Sequence, residues 1–154
     1  MASRVVEDHH GAVGAWAKRC YFAGRAAMEA VLRPFGLGSS QWYILHELVH
    51  NGPMMQRDLG RLLQIERSTL TVIVGSLVRK GWIEQFADEK DQRRKLLRVT
   101  PSGSELWDEL PELSAVINQT AFDGISDADM AAAVRVLRLA TERLDAFIKK
   151  ERTP

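Results

Sequence analysis

Three groups of residues in this 154-residue chain have types and spacings that could do chemistry. His46-Glu47-Leu48-Val49-His50 is a literal H-E-x-x-H. On a helix this spacing sets both imidazoles on one face, where they could hold zinc while the glutamate activates water. Against that reading, no histidine follows residue 50, no downstream carboxylate is marked as a third ligand, and Asn51-Gly52-Pro53 ends the helix at once. A zinc-dependent peptidase is therefore carried only as an alternative. Cys20 is the sole cysteine, which excludes an intrachain disulfide and a Cys-rich zinc site. Apolar neighbours, expected on the inward face of its helix, make a thiol inert, so a core or interface cysteine is expected and a redox switch is the alternative. The third group is polar and basic: Arg67, Ser68, Thr69 and Thr71, followed by the charged run Asp88 to Lys95.

That third group sits in a local charge excess. Residues 57–98 hold ten Lys/Arg and six acids, whereas the rest of the chain carries eleven and fourteen, so a net charge of +1 conceals a basic middle between acidic flanks. Such asymmetry is expected where one segment faces a polyanion. The composition, 45% hydrophobic and 27% charged, is that of one ordinary globular domain. No run of about 18 apolar residues and no apolar leader core is present, which predicts a cytoplasmic protein. There is no nucleophile elbow and no phosphate-binding glycine loop, so neither an enzyme nor a cofactor is expected. His9 and His10 read as part of a solvated tail.

Helices must position these side chains. Val13, Trp16, Cys20, Ala23, Ala27 and Val31 recur at helical spacing over residues 12–33, with Pro34 as the stop. Ser39 or Ser40 can cap a second helix that turns Trp42, Leu45, Leu48 and Val49 inward. Two short helices follow, about 57–63 and 67–80, separated by Gln64-Ile65-Glu66. Leu59, Leu62 and Leu63 can pack on Leu70, Ile73, Val74 and Leu77, giving a helix-turn-helix closed by Gly81. The period then switches to two: residues 82–86 and 97–100 predict a β-hairpin wing with a charged tip. Thr100-Pro101 starts a helix expected to run unbroken to near Phe122. Ser126 to Asp129 resembles a capping box for a last helix ending near Lys150. That helix places Met130, Val134, Leu137, Thr141, Leu144 and Ile148 on a heptad seam, more apolar length than one small domain needs to cover itself. The first and last helices are therefore expected to form a homodimer interface.

The densest pattern runs from Leu59-Gly60-Arg61-Leu62-Leu63 through Arg67-Ser68-Thr69-Leu70-Thr71, then Lys80-Gly81-Trp82-Ile83, Asp91-Gln92-Arg93-Arg94 and Val99-Thr100-Pro101-Ser102-Gly103. In this order the chain resembles the MarR (multiple antibiotic resistance regulator) family of bacterial transcription factors over essentially residues 12–150. The resemblance implies a mainly helical winged helix-turn-helix, dimerised through its terminal helices (12–36 with 101–150), with a DNA-binding lobe at 39–100. It also implies a pseudopalindromic operator, repression, and release by a small phenolic or other aromatic effector. Independently, a recognition helix needs small hydrogen-bonding groups at the end that enters the major groove, and Arg67, Ser68, Thr69 and Thr71 fit, although Ser68 and Thr69 could instead cap the helix. Val72 stands where many relatives show a basic side chain. In the wing the resemblance implies that Asp91 orients Arg93 into the minor groove, with Arg94 and Lys95 meeting phosphates. Gln56, Arg57 and Arg79 complete the expected DNA-binding set. For an effector cleft, Trp16, Arg25, Met28, Trp42, His46 and Trp107 supply aromatic walls, a cation and a titratable imidazole. A metal-sensing variant lacks the extra histidines that such relatives carry after the wing. A protein-interaction module using the same fold without DNA is a further alternative.

Overall fold

A computed structural model describes residues 9–152, with side chains from residue 11 onward; the side chains of His9 and His10 lie outside the described residues. Helix α1 spans His9–Leu32 and ends in a 3-10 turn at Arg33–Phe35, where Pro34 and the left-handed Gly36 stop it. Then come α2 (Ser39–Asn51), a two-residue strand β1 (Met54–Met55), α3 (Gln56–Leu63) and α4 (Arg67–Arg79). The wing is β2 (Ile83–Ala87) and β3 (Lys95–Val99), and the chain finishes with α5 (Pro101–Glu109), α6 (Leu113–Phe122) and α7 (Asp127–Glu151). It divides into two compact units between Ile117 and Asn118.

In the first unit one core joins the elements. Leu32 from α1, Ile44, Leu45 and Leu48 from α2, Leu59 from α3, Leu70 and Leu77 from α4, and Ile83 and Leu97 from the sheet are all buried. Side chains of this kind each contribute about 1.5–3 kcal/mol on leaving water, so the scaffold of the helix-turn-helix is set by its leucines. The helix-turn-helix crossing is tight because Gly60 faces Leu70: a Cβ there would come within 3.0 Å of the Leu70 Cδ2. Gln64 makes the turn itself, in the left-handed region at φ 53°. The sheet is antiparallel in the order β1-β3-β2, with Ile83 opposite Val99 and Met54 opposite Leu97.

Several sequence expectations are corrected here. The helix from residue 101 does not reach Phe122 unbroken. Pro111 lacks an N–H and forces the preceding Leu110 to extended ψ 142°, splitting it into α5 and α6. Strand β1 was not anticipated, since two residues carry no period. The wing strands are shifted by one or two residues, starting at Ile83 and Lys95 rather than 82 and 97. Val49 is exposed on α2, as are Val13, Trp16, Cys20 and Ala23 on α1, so the inward face expected of α1 is buried only at its C-terminal end. Cys20 is consequently no core residue.

Other features agree with the sequence. Thr100 caps α5 by accepting from the Gly103 N–H at 3.0 Å, while its hydroxyl donates to the Gly81 carbonyl at 2.6 Å. Gly103 is buried so closely that a Cβ would collide with the Trp82 carbonyl oxygen. In the second unit, Ser126 caps α7 by accepting from the Asp129 N–H at 3.1 Å. Helix α7 has no buried residue; Val134, Leu137, Leu144, Phe147 and Ile148 are all exposed.

Candidate nucleic-acid interface

Helix α4 is set by three buried residues, Leu70, Val74 and Leu77, which fix its inward face against the core. Arg67, Ser68, Thr69, Thr71, Val72 and Arg79 are consequently exposed. Glu66 occupies the cap position and makes no side-chain hydrogen bond, and Ser68 and Thr69 lie inside the helix, so neither serves as its cap. Thr71 is held on both sides: its hydroxyl donates to the Arg67 carbonyl at 2.9 Å and accepts from Gln56 Nε2 at 3.0 Å.

Between α3, the start of α4 and the wing strands lies an open groove of about 980 Å³. Gln56, Arg57, Arg61, Arg67, Thr71 and Lys95 line it. Four cations against one acid, Glu66, make it strongly attractive to phosphate. Arg61 was missed by sequence reasoning as a site residue, although it lies within the Leu59–Leu63 segment that carries the family resemblance; its side chain is exposed and 4.0 Å from Asp58. Asp58 also takes Arg57, at 3.4 Å.

The wing tip is tied by its own aspartates. Asp88 accepts from the Lys90 N–H and Asp91 from the Arg93 N–H, each at 3.0 Å, and the Arg94 N–H donates to the Asp91 carbonyl at 2.8 Å. Asp91 thus reaches Arg93 through the backbone, whereas the guanidinium it faces, at 3.8 Å, belongs to Arg94. The orientation expected of the Arg93 side chain is in this respect replaced by an ordered loop that presents Arg93 at its tip. Behind it, Arg98 pairs with Glu84 at 2.7 Å and lies over Phe86 at 4.3 Å, stiffening the two strands.

Of the residues expected at an effector cleft, the structure gathers Trp42, His46 and Trp107, with ring centroids 5.0–5.9 Å apart. His50, outside the expected set, joins them, stacked on His46 at 4.2 Å and edge-on to Trp107 at 5.8 Å. Met28 is buried nearby and accepts from the Tyr43 hydroxyl at 3.6 Å. Arg25 donates to Ser39 Oγ at 3.4 Å. Trp16 is not brought to this cluster: it lies twelve residues before Met28 on α1, about 18 Å along the axis, 63% exposed and packed on Arg19.

The H-E-x-x-H residues do share a helix face, but their groups are turned to other tasks. His50 Nδ1 donates to the His46 carbonyl at 2.7 Å, and Glu47 is engaged by His46 at 3.3 Å and Asn51 at 2.7 Å. Among the described residues no three His, Cys, Asp or Glu side chains converge as metal ligands.

Polar contacts join α1 to α2 and α2 to α4. Glu29 on α1 accepts from both the Ser39 N–H, at 2.9 Å, and its hydroxyl, at 2.6 Å, satisfying the start of α2. The side-chain and backbone hydrogen bonds from Ser39 hold the Glu29 carboxyl below its usual range; burial opposes this, and Arg25 and Arg33 assist. Two residues on, Gln41 donates to Ser76 Oγ of α4 and accepts from Lys80 Nζ, both at 3.0 Å.

Residues 35–94, which hold every lining residue of this groove but Lys95, together with the first strand and the loop of the wing, match the family model described as MarR family. The HTH-type transcriptional regulator YwoH of Bacillus subtilis is 31% identical over 108 residues, 70% of this chain and 78% of that protein. The chain belongs to the MarR family. Its similarity to the transcriptional activatory protein BadR of Rhodopseudomonas palustris is 35% identity, over 65% of this chain and 58% of that one. Among solved structures, the MarR fold is shared with an E. coli MarR mutant complexed with operator DNA, at a TM-score of 0.77 and 18% identity, over 88% of this chain and 97% of that one. BpsR of Bordetella bronchiseptica, whose DNA binding is regulated by 6-hydroxynicotinic acid, aligns at a TM-score of 0.72 and 25% identity, over 84% and 98%. PcaV of Streptomyces coelicolor gives 0.72 and 26%, over 86% and 97%. The chain is thus a MarR-family transcriptional regulator with a winged-helix DNA-binding fold. Among its described residues no helix is long and apolar enough to cross a membrane.

Proposed function

We propose that this MarR-family chain is a homodimeric, ligand-responsive repressor that binds a two-fold pseudopalindromic operator. Helix α4 enters the major groove, the Asp88–Lys95 loop the adjacent minor groove, and the 980 Å³ groove follows the phosphates between them. The observation that carries this reading is the convergence of Arg57, Arg61, Arg67 and Lys95, from α3, α4 and β3, on one open groove beside the exposed start of α4. Arg79, Arg94 and the presented Arg93 extend the same basic chemistry to the ends of the surface.

Dimerisation is supported by the apolar seam of α7, which is exposed in the single chain, and by the exposed Trp16, Tyr21 and Phe22 of α1. Two reading heads must then match half-sites about 34 Å, one helical turn, apart. Effector response is supported by the aromatic cluster of Trp42, His46 and Trp107, with Met28 hydrogen-bonded to the neighbouring Tyr43 and Arg25 to Ser39 at the start of α2. It is supported too by the aromatic acid that regulates BpsR. Such a ligand would act by prising apart rings now in mutual contact, and the Glu29–Ser39 and Gln41–Ser76 bonds would carry that displacement from α1 and α2 to α4.

Fluorescence anisotropy with the duplex upstream of the chain's own gene, titrated over several salt concentrations against random competitor, tests the reading. Binding that survives competitor and weakens steeply with salt is expected. Salt-insensitive or absent DNA binding would instead leave a winged helix serving another partner.

A further inference from the structure

Val72 is 70% exposed, more than any other large hydrophobic side chain among the described residues. It lies two positions from both Leu70 and Val74, which are buried, and two helical steps are about 200°, so it points directly away from the core. The outward row of α4 is therefore Ser68, Val72, Gly75 and Arg79. A β-branched side chain is a poorer helix former than alanine and here shields no core atom, so neither propensity nor packing accounts for it.

Of the polar groups beside it, those of Thr71 and Ser76 are already committed, while Ser68 and Thr69 lie one turn toward the start of the helix. The Thr71 hydroxyl hydrogen goes to the Arg67 carbonyl, and Gln56 takes one of its lone pairs. Ser76 accepts from Gln41 Nε2. Between Ser68 at one end and Arg79 at the other, the outward row presents the Val72 isopropyl group and then Gly75, where a Cβ would stand 3.4 Å from the Arg79 guanidinium. In the major groove only one base offers an apolar group, the C5-methyl of thymine.

We propose that Val72 is a base-reading residue, its isopropyl group packing on a thymine methyl in each half-site and selecting thymine over cytosine there. This rests on the DNA-binding reading above and adds the base class that the centre of α4 selects. Specificity at that position comes from methyl contact, while the cations around it set affinity without regard to sequence.

The test uses the full-length chain and a duplex selected by it from a random-sequence pool. Each thymine of the half-site is replaced in turn by deoxyuridine, which removes only the methyl. At one position per half-site the replacement weakens wild-type binding by about fourfold, the equivalent of roughly 0.8 kcal/mol for one methyl taken from water. For Val72→Ala that replacement has no effect, while the salt dependence of binding is unchanged. Val72→Thr, of the same shape with one methyl retained, falls between. Alanine favours the helix, and far-ultraviolet circular dichroism checks that both variants fold. Specific binding with deoxyuridine effects equal in wild type and Val72→Ala, or with none at any thymine, overturns the assignment and leaves the DNA-binding reading intact. A pool in which no sequence is enriched overturns both.

Discussion

The winged lobe and α7 use the same kinds of residue to opposite ends. In the lobe, Leu45, Leu59, Leu70, Leu77 and Leu97 vanish into a shared core, whereas along α7 Leu144 and Phe147 remain 62% and 61% exposed. The lobe closes on itself because its elements are short and joined by tight turns, so each leucine meets several neighbours within one chain. A 25-residue helix has nothing comparable within its own compact unit. Hydrophobic sequence alone therefore does not say which chain will cover it. The lobe buries its core leucines within one chain; α7 leaves its apolar seam exposed, the surface that the proposed dimer would cover.

The strongest way to break this contrast is to charge the α7 seam. Leu137→Glu with Leu144→Glu is expected to yield a 17.3 kDa particle by light scattering and to weaken operator binding by more than about 100-fold, with the lobe still folded. A double variant that still scattered as a dimer would show that the exposed seam is not the interface. The converse perturbation is Gly103→Ala, which forces a methyl against the Trp82 carbonyl under the wing. A loss of about 3 kcal/mol of lobe stability in urea is expected, large because the obstacle is backbone and cannot rotate away. An unchanged unfolding midpoint would mean that the α5–wing contact has room for a methyl group at residue 103.

Smaller effects sharpen the picture of the lobe as a reader. Arg93→Ala should weaken operator binding by about 1–3 kcal/mol without altering stability, since the loop is tied by backbone bonds to Asp88 and Asp91 rather than by the Arg93 side chain. Equal affinity at physiological salt would remove the wing tip from the interface. Smallest is the acid response of Glu29→Gln. The native carboxyl is held below its ordinary 4.5, so its contribution is complete above that value and lost as pH falls through the lowered native one. Wild type should therefore lead the variant by about 1 kcal/mol or less near neutrality, and the lead should shrink on acidification. A gap that stayed constant down to strong acid would show that Glu29 acts by shape and not by charge.

Much of the site was legible because its signals are local. The 3.6-residue recurrence of Leu70, Val74 and Leu77 fixes which face of α4 is free, and the polar run after Ala87 can only be a loop. Thr100-Pro101 fixes a helix start through capping chemistry within four residues. Pro111 was equally local, yet the apolar pattern on either side of it masked the break. Other features had no local sign. The side chain paired with Asp91 turned out to be that of Arg94, because spacing gives proximity along the chain but not which rotamer a turn permits. Arg61 joined the groove only when α3 was laid across α4.

By itself, then, the sequence determined the order of the helices, the helix-turn-helix, the wing and the basic character of the middle segment, since each follows from side-chain periodicity, capping or charge within a few residues. Tertiary structure decided what depends on residues far apart meeting: that His46 and His50, stacked on each other, both meet the edge of Trp107, that the Thr71 hydroxyl donates to the backbone and accepts from Gln56, and that Glu29 caps a helix ten residues away. A hydrogen bond or ring contact needs positions fixed to a fraction of an ångström, and only the packed core supplies that precision.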